Sequence, residues 1–340
     1  MQSKRNYSLK ALNTFGIEAV ADRYVRFEAE SEIDDFISRH AFKESRHLVL
    51  GGGSNLLFAG DFPGTVLHPM VKGIHIVEQD KDHLWIKVMA GETWDDLVAF
   101  AVNKGWGGIE NLSLIPGSVG ASAVQNIGAY GVEVRTVIDR VEAVAISSGQ
   151  RVVFSAGECG FGYRSSRFKA EGQDRFIITA VVLRLDRHPR FVLDYPGVGE
   201  AVQALGGASL NTVRQAIIDI RQHKLPDPAV LGNAGSFFKN PVVEYGVLEN
   251  LLERYPDLPH YIQADGRFKL AAGWLIDRCG WKGRCVGRAA VHDRQALVLV
   301  NRGGASGQEI LDLSEQIRQS VDQRYGIHLE REVRVVGPDQ

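Results

Sequence analysis

Cysteine is scarce: the chain has three, Cys159, Cys279 and Cys285, an odd count with no CxxC pair and no Cys/His spacing suited to a metal. That excludes a disulfide-stapled scaffold and a zinc module, and leaves three reduced, buried thiols as the expectation. The ten histidines are scattered without an HxxxH pair on a convincing helix, so no metal site is expected. An excess of one charge is also missing. Lys and Arg number 39 against 41 Asp and Glu, with no basic run and no aromatic residues interleaved among basic ones, which argues against nucleic acid as a partner. No segment approaches the roughly 18 apolar residues of a membrane span, and Met1 to Lys10 is polar where a signal peptide would be apolar. A cytoplasmic protein with no membrane partner is expected. Neither GxGxxG nor GxxxxGKS/T occurs, so a Rossmann site and a P-loop are disfavoured, although a dinucleotide can bind in another fold.

What is present is an average globular composition in 340 residues, more than one domain usually holds. Ser31 to His40 carries a serine start signal with Ile33, Phe36 and Ile37 at helical spacing. His47 to Leu50 reads as a strand running straight into a glycine loop, and a strand over Thr65 to His68 completes a β-α-β unit, residues 1–70. From about Gly73 short β-branched runs follow: Leu84 to Val88, Val141 to Ile146, Arg151 to Phe154 and Phe176 to Leu185. A helix over Trp94 to Lys104 is opened by Thr93-x-x-Asp96 and closed by Gly105. This sheet-rich second domain spans 71–225, has a last helix at Thr212 to Gln222, and takes back a terminal strand at His328 to Val336, so 326–340 is assigned to it. Leu225-Pro226-Asp227-Pro228 marks the start of a third domain, 226–325, with helices near Glu244 to Tyr255 and Lys269 to Cys279 and a strand at Ala296 to Asn301. Its last helix runs from the capping box Ser306-x-x-Glu309 to Gly326. The fold class is α+β in three domains.

Three consecutive glycines after a strand, Gly51-Gly52-Gly53-Ser54-Asn55-Leu56, permit positive φ and uncover backbone N–H groups, as a phosphate nest does; a tight surface turn has the same composition. The second glycine segment runs from Ile115-Pro116-Gly117-Ser118-Val119-Gly120 through Gln125-Asn126-Ile127-Gly128-Ala129-Tyr130-Gly131. Almost no large side chain interrupts it except Tyr130, which suits close approach of backbone to something flat or anionic. Two such loops in neighbouring domains can clamp one long ligand. In Gly232-Asn233-Ala234-Gly235-Ser236-Phe237-Phe238-Lys239-Asn240-Pro241, Ser236 lies among small and apolar residues, where a hydroxyl either satisfies nearby backbone or does chemistry. Arg164, in Phe161-Gly162-Tyr163-Arg164, suits a bidentate pair with a carboxylate or phosphate, or an internal pair. Lys224, just before the Pro-rich turn, suits a phosphate or a plain surface position. If Val333 and Val335 face a core, Glu330, Glu332 and Arg334 share the opposite strand face, for which a solvated cross-pair is the ordinary reading.

Together these segments, with Lys269-Leu270-Ala271-Ala272-Gly273-Trp274-Leu275-Ile276-Asp277, resemble the UDP-N-acetylenolpyruvoylglucosamine reductase family over essentially the whole chain. The resemblance implies a vanillyl-alcohol-oxidase-type FAD-binding fold in the first two domains and a smaller α+β substrate domain as the third. It implies an NADPH-dependent, FAD-mediated reduction of UDP-N-acetylglucosamine enolpyruvate to UDP-N-acetylmuramate for peptidoglycan synthesis, carried out by a monomer. FAD would be held non-covalently, on Gly51, Gly52, Gly53, Ser54, Asn55 and Leu56 and on Pro116, Gly117, Ser118, Gly120, Gln125, Asn126, Ile127, Gly128, Ala129 and Tyr130, with Arg334 approaching the flavin. Neither loop carries the His or Cys of a covalently anchored flavin. Ser236 is implied as proton donor to C2 once hydride reaches C3. Arg164 and Glu332 are implied to hold and polarise the carboxylate, and Glu332 donates there only if it keeps a proton. Residues 189–207 resemble the loop that folds over substrate in the family's longer form, and Tyr195, Lys224, Asn240 and Gln295 match positions contacting the UDP part. Ser165 stands where relatives carry Asp, and Pro196 where Gly is familiar, the second bearing on how that loop closes.

Overall fold

The computed structural model describes residues 1–39, 46–169 and 173–338, so His40 and residues 339–340 of the assignments above lie outside the described residues. The chain divides into two compact units: residues 1–7, 21–53 and 63–223, and residues 8–20, 54–62 and 224 onward.

The first unit contains two sheets. One has the strands Gln2–Ser8, Val20–Phe27, Phe62–Pro69 and His47–Val49 in that order, the last two parallel with His47 opposite Thr65. The other is antiparallel, in the order Arg151–Ser155, Ile138–Ala145, Phe176–Asp186, His83–Met89 and Ile74–Gln79. Its central strand is nearly all apolar because both faces are covered. Ile178, Val181, Leu183 and Leu185 join the core under the helix Trp94–Asn103, whereas Ile177 and Ala180 join Ile33, Phe36 and Ile37 of the helix Glu30–Arg39. Each Val, Leu, Ile or Phe among them stabilises the fold by about 1.5–3 kcal/mol when fully buried. That core contains Val25 and Phe27 from the first sheet and Val144 and Ile177 from the second, so the two sheets pack into one unit. The helix starting at Trp94 is also held otherwise than its sequence suggests. Thr93 is its N-cap residue but makes no side-chain cap, and the Trp94 N–H instead donates to Gly117 O at 3.0 Å.

In the second unit, Gly232–Ser236, Val298–Asn301, Ala289–Val291 and Cys285–Val286 form one sheet, and Val242–Val243, Phe268–Leu270 and His260–Ile262 form another. The helix expected from Lys269 starts later, as Ala272–Arg278, because Phe268–Leu270 pairs on both sides in that sheet. The last helix, Gly307–Tyr325, opens on the full capping box: Ser306 Oγ accepts from Glu309 N, and the Glu309 carboxylate accepts from Ser306 N at 2.8 Å. It ends on Gly326 at φ +66°. Gly307 packs main chain against main chain, since a Cβ there would lie 1.7 Å from Phe58 O. The terminal strand is only Arg334–Val336 and runs parallel to Leu56–Phe58. Those ladder bonds group 326–338 with the second unit rather than with the sheet-rich domain to which the sequence reading assigns it.

Candidate functional site

The two glycine segments meet main chain to main chain in the first unit. A Cβ on Gly51 would lie 2.8 Å from Ala121 Cβ and from Ser118 Oγ, and one on Gly52 would lie 2.6 Å from Gly117 Cα. Gly53, at φ +64°, then turns the chain through a conformation that favours glycine. The helix Val119–Gln125 spends its first donors inside the protein, Val119 N on Glu92 O and Gly120 N on Ala90 O.

Below the first loop, His68 is buried with its Nδ1 2.8 Å from the Tyr24 hydroxyl. Burial, helped by Arg26, pushes its pKa down to about 4 against a hydrogen bond with the Gly51 main chain, so the ring is neutral at pH 7 and props the loop. Because the folded value lies below the unfolded one, this stability is present above pH 6.5 and is lost as pH falls through about 4. The depression from 6.5 to about 4 corresponds to roughly 3 kcal/mol. The melting-temperature advantage of the protein over His68→Gln is therefore expected to shrink steadily between pH 7 and 4; an advantage constant with pH would refute the assignment.

Arg164 and Gly128 are brought together. The Arg164 Nη2 donates to Gly128 O at 2.5 Å, its guanidinium carbon lies 5.3 Å from the Tyr163 ring centroid, and its backbone is at φ +53°. Asn126 is fully buried at φ +46° and turns its amide inward: Oδ1 accepts from Arg135 N, while Nδ2 donates to Gly162 O and Glu133. Tyr130 stacks edge-on against Tyr195 at 5.2 Å, and burial raises the pKa of its hydroxyl against the opposing influence of Arg221. The sequence reading missed Arg221 and the Arg214–Asp95 pair beside it. Burial lowers the Arg221 pKa, opposed by Tyr130 and Asp95, and among the described residues its buried Nε has no hydrogen-bond partner. Burial raises the Asp95 pKa, but the two Arg214 contacts at 2.7 and 3.0 Å and the Leu114 N–H outweigh it and hold the carboxylate below its usual range. Arg214 and Arg221 lie seven apart on the helix Leu210–Lys224, a spacing that puts both on one face and was there to be seen.

In the second unit, Ser236 ends the strand Gly232–Ser236 after a register shift, with Gly235 at φ +68° and its N–H bonded to the Asn233 side chain. Asn233 also donates to Pro226 O and Leu231 O, which ties the Pro-rich turn to the serine strand. Just past Ser236, Phe237 O accepts from Glu332 N at 2.8 Å and Lys239 N donates to Glu330 O at 2.9 Å. These bonds set Ser236 and Glu332 on adjacent segments. Asn55 joins them, donating from Nδ2 to Glu332 O and accepting from Arg334 N. Lys239 is ion-paired with Glu330. Asn240 and Gln295 converge on one helix start: Asn240 Oδ1 accepts from Ala272 N, and a Cβ on Gly273 would lie 3.1 Å from Gln295 Oε1. Lys224 is exposed where its helix ends.

Among the described residues no group of three or more His, Cys, Asp or Glu could hold a metal ion, and no helix is long and apolar enough to cross a membrane. All three thiols are free, but only Cys159 is buried, its pKa pushed up by that burial to about 11. Cys279 is half-buried and Cys285 exposed, because the short strand carrying Cys285 lies at its sheet's edge.

A family model described as UDP-N-acetylenolpyruvoylglucosamine reductase, C-terminal domain, matches residues 227–336, and one described as FAD binding domain matches residues 21–155. The chain is 46% identical over 333 residues to the UDP-N-acetylenolpyruvoylglucosamine reductase of Bacteroides fragilis, covering 98% of this chain and 100% of that one. It is 48% identical over 330 residues to the enzyme of the same name from Paraburkholderia xenovorans, covering 96% and 95%. The crystal structure of UDP-N-acetylenolpyruvylglucosamine reductase from Thermus caldophilus matches with a TM-score of 0.68 at 24% identity, over 98% of each chain, which is a likeness of fold.

Proposed function

The chain belongs to the UDP-N-acetylenolpyruvoylglucosamine reductase family and is an FAD-dependent oxidoreductase of peptidoglycan precursor synthesis; on that premise we propose that it uses NADPH to convert UDP-N-acetylglucosamine enolpyruvate to UDP-N-acetylmuramate. The residues present fit FAD, because the glycine segments, packed at Gly51 and Gly52 too closely for a Cβ, are rich in residues that offer main chain rather than side chains to a pyrophosphate. Bound there, FAD would supply the hydride-transfer chemistry that reduces the substrate at its vinyl C3, with NADPH as the source of the reducing equivalents. Ser236 gives a proton to C2. Glu332 and Arg164 hold the substrate carboxylate, on which negative charge gathers as C3 is reduced, and Arg164 is oriented for this by its bond to Gly128 O. Tyr195, Lys224, Asn240 and Gln295 take the UDP part, and Arg334 would approach the flavin. The enzyme acts in the cytoplasm as a monomer.

What most supports this reading is the placement of Ser236 one residue from the Phe237 carbonyl that binds Glu332 N, a proposed proton donor beside a proposed carboxylate holder. The test is anaerobic. NADPH is expected to bleach the yellow protein, and UDP-N-acetylglucosamine enolpyruvate is expected to restore the flavin absorbance rapidly. Recovery only when air is admitted would overturn the proposal in favour of an oxidase or a binding module.

A further inference from the structure

Asn111, 1% exposed on the turn Glu110–Leu112, gives away both hydrogens of its amide: Nδ2 donates to Tyr130 O at 2.9 Å and to Val192 O at 2.8 Å. The first carbonyl belongs to the second glycine segment and the second lies three residues before Tyr195. From this bridge we infer that Asn111 is a positioning residue, joining the glycine segment at Tyr130 to the loop that presents Tyr195 and so setting how firmly the sugar nucleotide is held. The inference rests on the reading of Tyr195 as a UDP contact.

Two further contacts cross the same junction. The Tyr195 ring meets the Tyr130 ring edge-on at 5.2 Å, and a Cβ on Gly131 would lie 3.1 Å from Val192 Cγ1, so the two segments touch at ring, main chain and side chain. Tyr130 itself needs holding, because it sits at φ +49°, a region unfavourable for a residue with a Cβ. Asn111 fixes its carbonyl. Only a carboxamide of this length presents two hydrogens on one nitrogen to two carbonyls. Aspartate has the same shape but offers acceptors to acceptors, which turns both attractions into repulsions.

The test uses the flavin-loaded protein with Asn111→Asp and Asn111→Ser. Loss of two buried hydrogen bonds is expected to raise KM for UDP-N-acetylglucosamine enolpyruvate about tenfold, while kcat changes less than about threefold, a split that general loosening of the fold would not give. Trypsin cleavage after Arg190, in the same loop, is expected to quicken about tenfold in Asn111→Asp. Asn111→Ser keeps one donor and is expected to fall between, and it carries the test should the aspartate variant fail to load flavin. A parental KM with parental cleavage in a folded variant overturns the inference, as does a fall in kcat with KM unmoved. If the unmodified protein itself does not turn over the sugar nucleotide, the proposed function fails, and the trypsin comparison still decides whether Asn111 holds the loop.

Discussion

Ser236→Ala is expected to remain yellow and to be bleached by NADPH without air, yet to regain its colour with the enolpyruvyl sugar nucleotide about a thousandfold more slowly, within the range general acid catalysis supplies. The argument is one of separation. The change removes a hydroxyl that, among the described residues, makes no hydrogen bond within the protein, while the main-chain bonds that fix its neighbours, Phe237 N to Leu297 O and Glu332 N to Phe237 O, are untouched. Folding and flavin loading therefore have no reason to change. In the proposed scheme the first half of the reaction needs no proton from Ser236, so flavin reduction by NADPH is expected to keep its parental rate. A variant that reoxidises at the parental rate would remove Ser236 from the chemistry and leave family membership standing.

The second large effect is structural in origin and spectroscopic in readout. Gly52→Ala is expected to give a colourless protein. Its new methyl would lie 2.6 Å from Gly117 Cα, 3.0 Å from Gly117 C and 3.2 Å from Ser118 N, all main-chain atoms with no rotamer to escape into. Overpacking of this kind costs about 1–3 kcal/mol, and if the segments part to relieve it, flavin affinity falls by up to about a hundredfold. Gly157→Ala is the control, since nothing lies within 4 Å of its added Cβ and its φ is not positive. Flavin content after purification separates the two, and a fully loaded Gly52→Ala would show that the contact between the segments does not shape the cofactor site.

Much of the fold was legible because the strongest signals are local. The helix at Ile33, Phe36 and Ile37 and the capping box at Ser306 and Glu309 satisfy their backbone groups within a few residues of where the pattern appears, and the strand Phe176–Asp186 announces itself by an unbroken apolar run even though its partners are distant. Thr93 shows where such a signal fails. Its capping pattern is present, but the helix start is held by Gly117 O, a partner supplied by tertiary structure. The partition of the chain was illegible for the same reason: nothing near Leu56–Phe58 announces that its partner is Arg334–Val336. At the candidate site, glycines and Ser236 could be picked out by what their neighbours lack. Asn111 could not, because an asparagine in a turn looks ordinary until its two carbonyl partners, 19 and 81 residues away, are known.

The parallel pairing of Leu56–Phe58 with Arg334–Val336, and the packing of Gly307 on Phe58, bear on how the protein is made. A ribosome delivers residues 54–62 before almost everything else in their unit, and the strand that completes their ladder comes nearly last. During synthesis that early strand has an open edge and no helix upon it, the exposure that favours pairing with a wrong chain. The first unit receives all of its residues by 223, well before then. The order of synthesis therefore delivers the whole first unit before the unit bearing Ser236 and Glu332 receives the strand that completes its ladder.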